Sequence, residues 1–186
     1  MKLISESYYI SQTLKGNTEQ FAYLVEKYQD MVFSIILKIV NNKEDAEDIA
    51  QNVFIIAYNK LDTFKQNSKF STWLYSIAYN EAVSFYKKNK KTTFITIDTN
   101  LNGSFDKIED DTDSDFIYSN ENVNKLKESL KKLKDDENLI ITLFYKMDNS
   151  IEEIAEITNM SISNVKVKLF RTRKKLLKFM TDDTKK

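Results

Sequence analysis

Proline is absent from this chain, and glycine occurs only twice, at Gly16 and Gly103, in 186 residues. Proline fixes φ and removes a backbone donor, while glycine supplies the positive φ that tight turns need. A backbone that dispenses with both is mostly helical, because a helix interior uses neither. The expected fold class is therefore all-α. Cysteine and histidine are missing as well. That removes disulfides, thiolate nucleophiles and zinc–cysteine sites, along with the commonest general base and transition-metal ligand. No run approaches the roughly 18 apolar residues of a membrane span, and the N-terminus lacks a signal-peptide pattern. These features point to a cytoplasmic protein without a membrane segment, a cofactor or a metal centre.

Net charge is zero, with 28 basic and 28 acidic side chains, but its distribution is uneven. Residues 1–94 hold 12 basic and 10 acidic side chains, residues 95–121 hold one and eight, and residues 122–186 hold 15 and 10. The middle stretch is rich in Asp, Ser, Asn and Thr and has no helical period, so it reads as a flexible acidic linker between two small helical domains.

In the first domain, Phe21, Leu24, Val25, Tyr28, Val32, Ile35, Ile36 and Ile39 recur at three- and four-residue steps, the mark of one buried helix face. Asn17 with Gln20 is the expected N-terminal signal. A second helix should start after Asn42 and bury Ala46, Ile49, Ala50, Val53, Phe54 and Ala57. A third should run through "TWLYSIAYNEAVSFYKKNK" on Trp73, Leu74, Ile77, Ala78, Ala82, Val83 and Phe85.

The second domain is better punctuated. "DDENLIITLFYK" reads as an apolar helix opened by Asp135 or Asp136. Ser150 and Glu153 form a capping box ahead of Ile151, Ile154, Ala155 and Ile157. "TNMS" is a tight break, and Ser161 is placed to cap the last helix. Two helices joined by about four residues, the second strongly basic, make a helix-turn-helix layout. From 163 to 179 the last helix carries seven basic residues and no acid. Such a run is either a solvated face or a recognition helix. In the second case Ser163, Asn164, Lys166 and Lys168 lie nearest base edges, Arg171 and Arg173 reach bases or phosphates, and later lysines such as Lys174 reach phosphates.

"DAEDIAQNVF", residues 45–54, sets a cluster of acids and a glutamine on two helical turns. Glu44, Asp48 and Gln51 fall on one side, opposite Ile49 and Val53. Such a cluster can hold a hard metal, move protons or face a partner. No nucleophile or oxyanion donor accompanies it, which argues against an enzyme.

Together, "DAEDIAQNVFIIAYNKLDTF…FSTWLYSIAYNEA" and "SIEEIAEITNMSISNVKVKLFRTRKKL" resemble a bacterial RNA polymerase sigma factor of the sigma-70 family. The nearer likeness is to the extracytoplasmic-function (ECF) group, which keeps only regions 2 and 4. The likeness covers about residues 15–90 and 122–180. It implies region 2 over 1–94, the linker over 95–121 and region 4 over 122–186. The function implied is an alternative initiation factor that binds core polymerase, recognises −10 and −35 promoter elements and assists strand opening. The competing reading is a self-sufficient helix-turn-helix regulator, which would bind duplex tightly without polymerase.

By the same resemblance, Glu44, Asp45, Glu47, Asp48 and Gln51 dock on the β′ coiled coil of the polymerase, with the β flap as a second expected contact. The segment from Asp62 to Ser71 and the helix after it would handle the opened −10 strand. Phe64, Lys65, Lys69 and Phe70 set aromatic faces beside cations, as single-strand binding needs. Asn80 offers a base edge both a donor and an acceptor, and Lys87 and Lys88 suit flanking phosphates. The last helix would read the −35 duplex through the seven residues from Ser163 to Lys174 named above. The linker acids Glu109, Asp110, Asp111 and Asp113 would mimic nucleic acid inside the polymerase, or serve only as a tether. Members of this group are often held inactive by an anti-sigma protein, which adds that class to the implied partners. Relatives often carry glycine near Asp148–Asn149 and before the turn at Asn159; here asparagine, which tolerates a left-handed backbone, is expected to substitute.

Overall fold

A computed structural model describes residues 5–89 and 120–182, and among these there are eight helices and no strand. The helices are α1 (Glu6–Leu14), α2 (Phe21–Val40), α3 (Lys43–Asn59), α4 (Phe70–Asn89), α5 (Asn120–Lys131), α6 (Asp135–Ile141), α7 (Ile151–Thr158) and α8 (Ile162–Asp182). The linker residues 90–119, including Glu109, Asp110, Asp111 and Asp113, lie outside the described residues.

The local punctuation is as the sequence reads. Asn41 ends α2 in the left-handed region at φ 55°, and Asn42 caps α3 by accepting from the Asp45 N–H at 3.1 Å. A short polar side chain tolerates that backbone where most residues do not. Asp148 and Asn159 take the left-handed conformation at φ 51° and 54°, so aspartate rather than asparagine fills the first glycine-like position. In the capping box, the Ser150 N–H donates to Glu153 Oε2 at 2.8 Å and the Glu153 N–H to Ser150 Oγ at 3.2 Å. Ser161 Oγ accepts from the Asn164 N–H at 3.2 Å and opens α8.

Three local readings change. Asn17 makes no side-chain cap; a 3₁₀ turn over Thr18–Gln20 leads into α2 instead. Helix α1 has no counterpart among the helices expected from sequence; it packs on α2, with Ile10 buried and the Tyr9 and Tyr23 rings stacked at 3.8 Å. The apolar run after Asp135 is helical only to Ile141. It then widens into a π turn over Thr142–Lys146, where the Met147 N–H reaches the Thr142 carbonyl at 3.1 Å.

Helices α2, α3 and α4 form the core of the first unit. Val32, Ile35, Ile36, Val53, Leu74 and Ala78 are fully buried there. Val25, Ala50 and Phe54, expected in the core, are only half-buried. Helix α4 is covered on two sides, by α2 and α3 on one and by α7 of the second unit on the other. Thr72, Tyr75 and Tyr79 are therefore buried beside Leu74 and Ala78, which blurs the single apolar stripe that sequence periodicity looks for. In the second unit α6, α7 and α8 close on Leu139, Ile140, Leu143, Ile154, Ile157, Val165 and Leu169.

Candidate functional site

Three surfaces carry the residues singled out by sequence. The first is a groove of about 530 Å³ between α2 and α3, floored by Val25, Phe33, Ala50 and Phe54 and edged by Asp30, Glu47, Gln51 and Ile55. Of the acidic cluster, Glu47 and Gln51 line this groove. Glu44 and Asp48 stand exposed beside it, and Asp45 is half-buried in the first turn of α3. Lys43 bridges to Glu47 at 3.5 Å across one helical turn. Sequence reasoning missed the apolar floor, because Ala50 and Phe54 read as core. The usable signal was Ile55, one turn beyond Gln51 on the polar face, which is 59% exposed. An apolar floor with a charged rim is the makeup of a protein–protein contact.

The second surface is the start of α4 and the loop before it. Phe64 packs edge-on against Phe70 at 5.5 Å and obliquely on Trp73 at 5.4 Å. Phe70 corrects an expectation: it is 2% exposed, pinned between this pair and Tyr28 at 5.7 Å, and offers no face to a base. The half-buried Phe64 and Trp73 lie over it. Lys65 is exposed next to Gln66, whose φ of 56° turns the loop. Lys69 is drawn to Glu153 of α7 at 3.0 Å, and Asn80 accepts from Asn159 Nδ2 at 3.2 Å. Lys87 and Lys88 project from the end of α4. Burial, with Asp136 of the second unit adding to it, pushes the Tyr79 phenol up to about 12.

The third surface is α8. Val165, Leu169, Thr172 and Leu176 are buried, and Ser163, Lys166, Arg171, Arg173 and Lys174 are exposed. Asn164 is half-buried at the first turn. Lys168 departs from expectation: it is paired with Asp136 on α6 rather than free at the front of the helix. Lys175, which sequence reasoning did not single out, does the same with Glu137 at 2.7 Å. These acids neutralise one shoulder of α8. On the other shoulder the Arg173 guanidinium lies over the Phe144 and Tyr145 rings, at 5.1 and 5.4 Å, a cation–π contact. The free cationic face is the strip through Lys166, Arg171, Lys174 and Lys178.

Among the described residues no group of histidine, cysteine, aspartate and glutamate is arranged to hold a metal ion, and no helix is long and apolar enough to cross a membrane.

Comparison with known proteins matches the same two units. The model of sigma-70 region 2 covers residues 24–92, and that of sigma-70 region 4 covers 124–176. The ECF RNA polymerase sigma factor SigW of Bacillus subtilis is 34% identical, over 93% of this chain and 95% of its own. The ECF sigma-E factor of Escherichia coli is 27% identical over 91% of each. Among solved structures, CnrH in complex with the cytosolic domain of CnrY superposes with a TM-score of 0.63 at 20% identity, over 95% of this chain and 97% of that one. The sigma factor RpoE of Bartonella quintana, in complex with the anti-sigma factor NepR, does so at 0.62 and 20%, over 88% and 98%. A self-sufficient helix-turn-helix regulator is not favoured, because both sigma regions are matched in order on one chain. The chain belongs to the sigma-70 family, in its ECF group, and is an alternative sigma factor that directs RNA polymerase to promoters.

Proposed function

We propose that the groove between α2 and α3 is where core polymerase docks, through the β′ coiled coil, with residues 1–94 acting as region 2. Residues 122–186 act as region 4 on the −35 duplex and the β flap. The observation that carries this reading is the groove itself: an open apolar floor with Glu47 and Gln51 at its edge and Asp48 exposed on the same helix, whose other side is core. Phe64, Lys65, Lys69, Asn80, Lys87 and Lys88 handle the opened −10 strand, with Phe70 supporting Phe64 from beneath. Ser163, Lys166, Arg171 and Lys174 meet the −35 major groove. The protein works by binding, in the cytoplasm, without a reaction of its own.

A cleft of about 700 Å³ between the units is lined by Leu126, Leu130, Ile141 and Tyr145, with Lys38, Lys146 and Arg173 among its cations. Burial and the neighbouring Lys146 ammonium lower the pKa of Lys38. An apolar cleft with crowded cations suits an acidic amphipathic helix, the kind of segment an anti-sigma partner would supply.

The decisive experiment is co-purification with core polymerase. Asp48→Arg combined with Gln51→Ala should lose that association while circular dichroism stays helical. Retained association in the folded variant overturns the docking assignment.

A further inference from the structure

The cleft between the units has the makeup of a small-ligand site, and its chemistry is independent of the docking assignment. Its walls come from α2, α5, α6, the π turn and α8. At about 700 Å³ it falls within the roughly 300–1,000 Å³ of ligand cavities. One side is aliphatic, lined by Leu126, Leu130, Ile141 and Leu176. Leu126 is 39% exposed, and so is Val123 on the same face of α5. The apolar stripe of that helix is therefore left partly uncovered.

The other side is cationic. Lys38, Lys146 and Arg173 line the cleft, and no carboxylate does. Lys38 is half-buried, and its ammonium donates to the neutral Asn138 Oδ1 at 2.8 Å. Asp135, whose charge also reaches Lys38, accepts from Asn41 at 2.7 Å and lies outside the lining. Burial and the Lys146 ammonium lower the pKa of Lys38 against the pull of Asp135. The Arg173 guanidinium is held over the Phe144 and Tyr145 rings, at 5.1 and 5.4 Å. Cations gathered this way favour an anion between them.

The two sides ask for different things. A neutral apolar ligand leaves the cations unmatched, and a compact anion leaves the leucines in water. An anion that carries an aliphatic chain satisfies both. We propose that the cleft binds a single-chain anionic amphiphile, its chain along Leu126, Leu130, Ile141 and Leu176 and its head among Lys38, Lys146 and Arg173. A carboxylate, as in a free fatty acid, and a phosphate, as in a lysophospholipid, are the heads this cluster accepts. The same surface takes an acidic helix, so amphiphile and helix exclude each other.

The test is calorimetric titration of the full-length chain with sodium octanoate, decanoate and dodecanoate, each below its micelle concentration. One-to-one binding should tighten about fourfold for each methylene buried. Dodecyl phosphate should bind as well, and dodecyltrimethylammonium should not. The tighter of dodecanoate and dodecyl phosphate identifies the head group, and binding of either supports the site. Lys38→Met with Lys146→Met should weaken these anions about tenfold, from two cation–anion contacts. Leu126→Glu, at a position already exposed, sets a carboxylate on the aliphatic wall and should abolish detectable binding. Circular dichroism checks that each variant stays helical.

Binding that survives Leu126→Glu in a folded chain overturns the proposal. So does an affinity independent of chain length, or equal binding of dodecyltrimethylammonium. Failure of every anion overturns it too; if a glutamate- and leucine-rich amphipathic peptide still binds, the cleft belongs to a helical partner alone. The titration involves neither polymerase nor DNA, so this site and the docking assignment fail separately.

Discussion

The two long sides of region 2 are built from similar helices and meet opposite fates. On one side α2 and α3 leave a groove with an apolar floor that nothing in the described chain fills. On the other, α4 is covered by α7, and Lys69, Thr72 and Asn80 are already paired. The difference lies in what each side presents. Glu44, Glu47 and Asp48 repel the acidic face of α7, which carries Glu152, Glu153 and Glu156, whereas Lys69 attracts it. Sign of charge thus sorts the surfaces: the acidic one stays open, and the basic one is covered by the chain's own acids.

The largest expected effect tests whether the covered side shares a core with the unit that covers it. Ile154 is fully buried in α7, and Ile154→Ala should cost about 2–5 kcal/mol. A shared core predicts that calorimetry shows both units melting together at a lower temperature. An undisturbed region 2 transition would show that the two sides are stabilised independently. A smaller effect is expected on the open side. Ile55→Asp places a charge at the groove edge and should weaken core binding about 30-fold, equivalent to ~2 kcal/mol for an anchor residue, with the melting temperature of the chain unchanged. If both quantities fall, the sides are coupled.

The smallest effect concerns pH. Burial pushes the Glu153 carboxyl up, but the Ser150 N–H and the Lys69 ammonium outweigh it and hold the group below its ordinary 4.5. A depressed carboxylate stabilises the contact between α4 and α7 fully above that value and loses the contribution as pH falls through the folded one. Lys69 is exposed, so the gain is below ~1 kcal/mol. Small-angle scattering should show the chain expanding more below pH 4.5 than Glu153→Gln does; identical profiles would show that Glu153 does not help hold α7 on α4.

What the sequence determined by itself is local. Asn42, Ser150 and Ser161 cap the helices they precede, and Asp148 and Asn159 take the left-handed turns, because each satisfies backbone within a few residues. The stripes on α2, α3 and α8 were legible because one face of each is buried and period 3.6 records it. Helix α4 was half legible: buried on two faces, it hides Thr72, Tyr75 and Tyr79 from a one-stripe reading. The acidic cluster was legible as an exposed helix face; the apolar floor beside it was not, because Phe54 and Ala50 carry the same signature in a groove as in a core.

Only the tertiary structure decided which charges remain free. Lys168 and Lys175 look like any other lysine of the basic run until α6 brings Asp136 and Glu137 against them. Glu153 is a capping residue by sequence, and the same carboxylate also reaches Lys69 and Thr72. The polar contacts between α4 and α7 join residues about 80 positions apart. No local period encodes such a pairing, since it depends on where the packed cores carry the two helices.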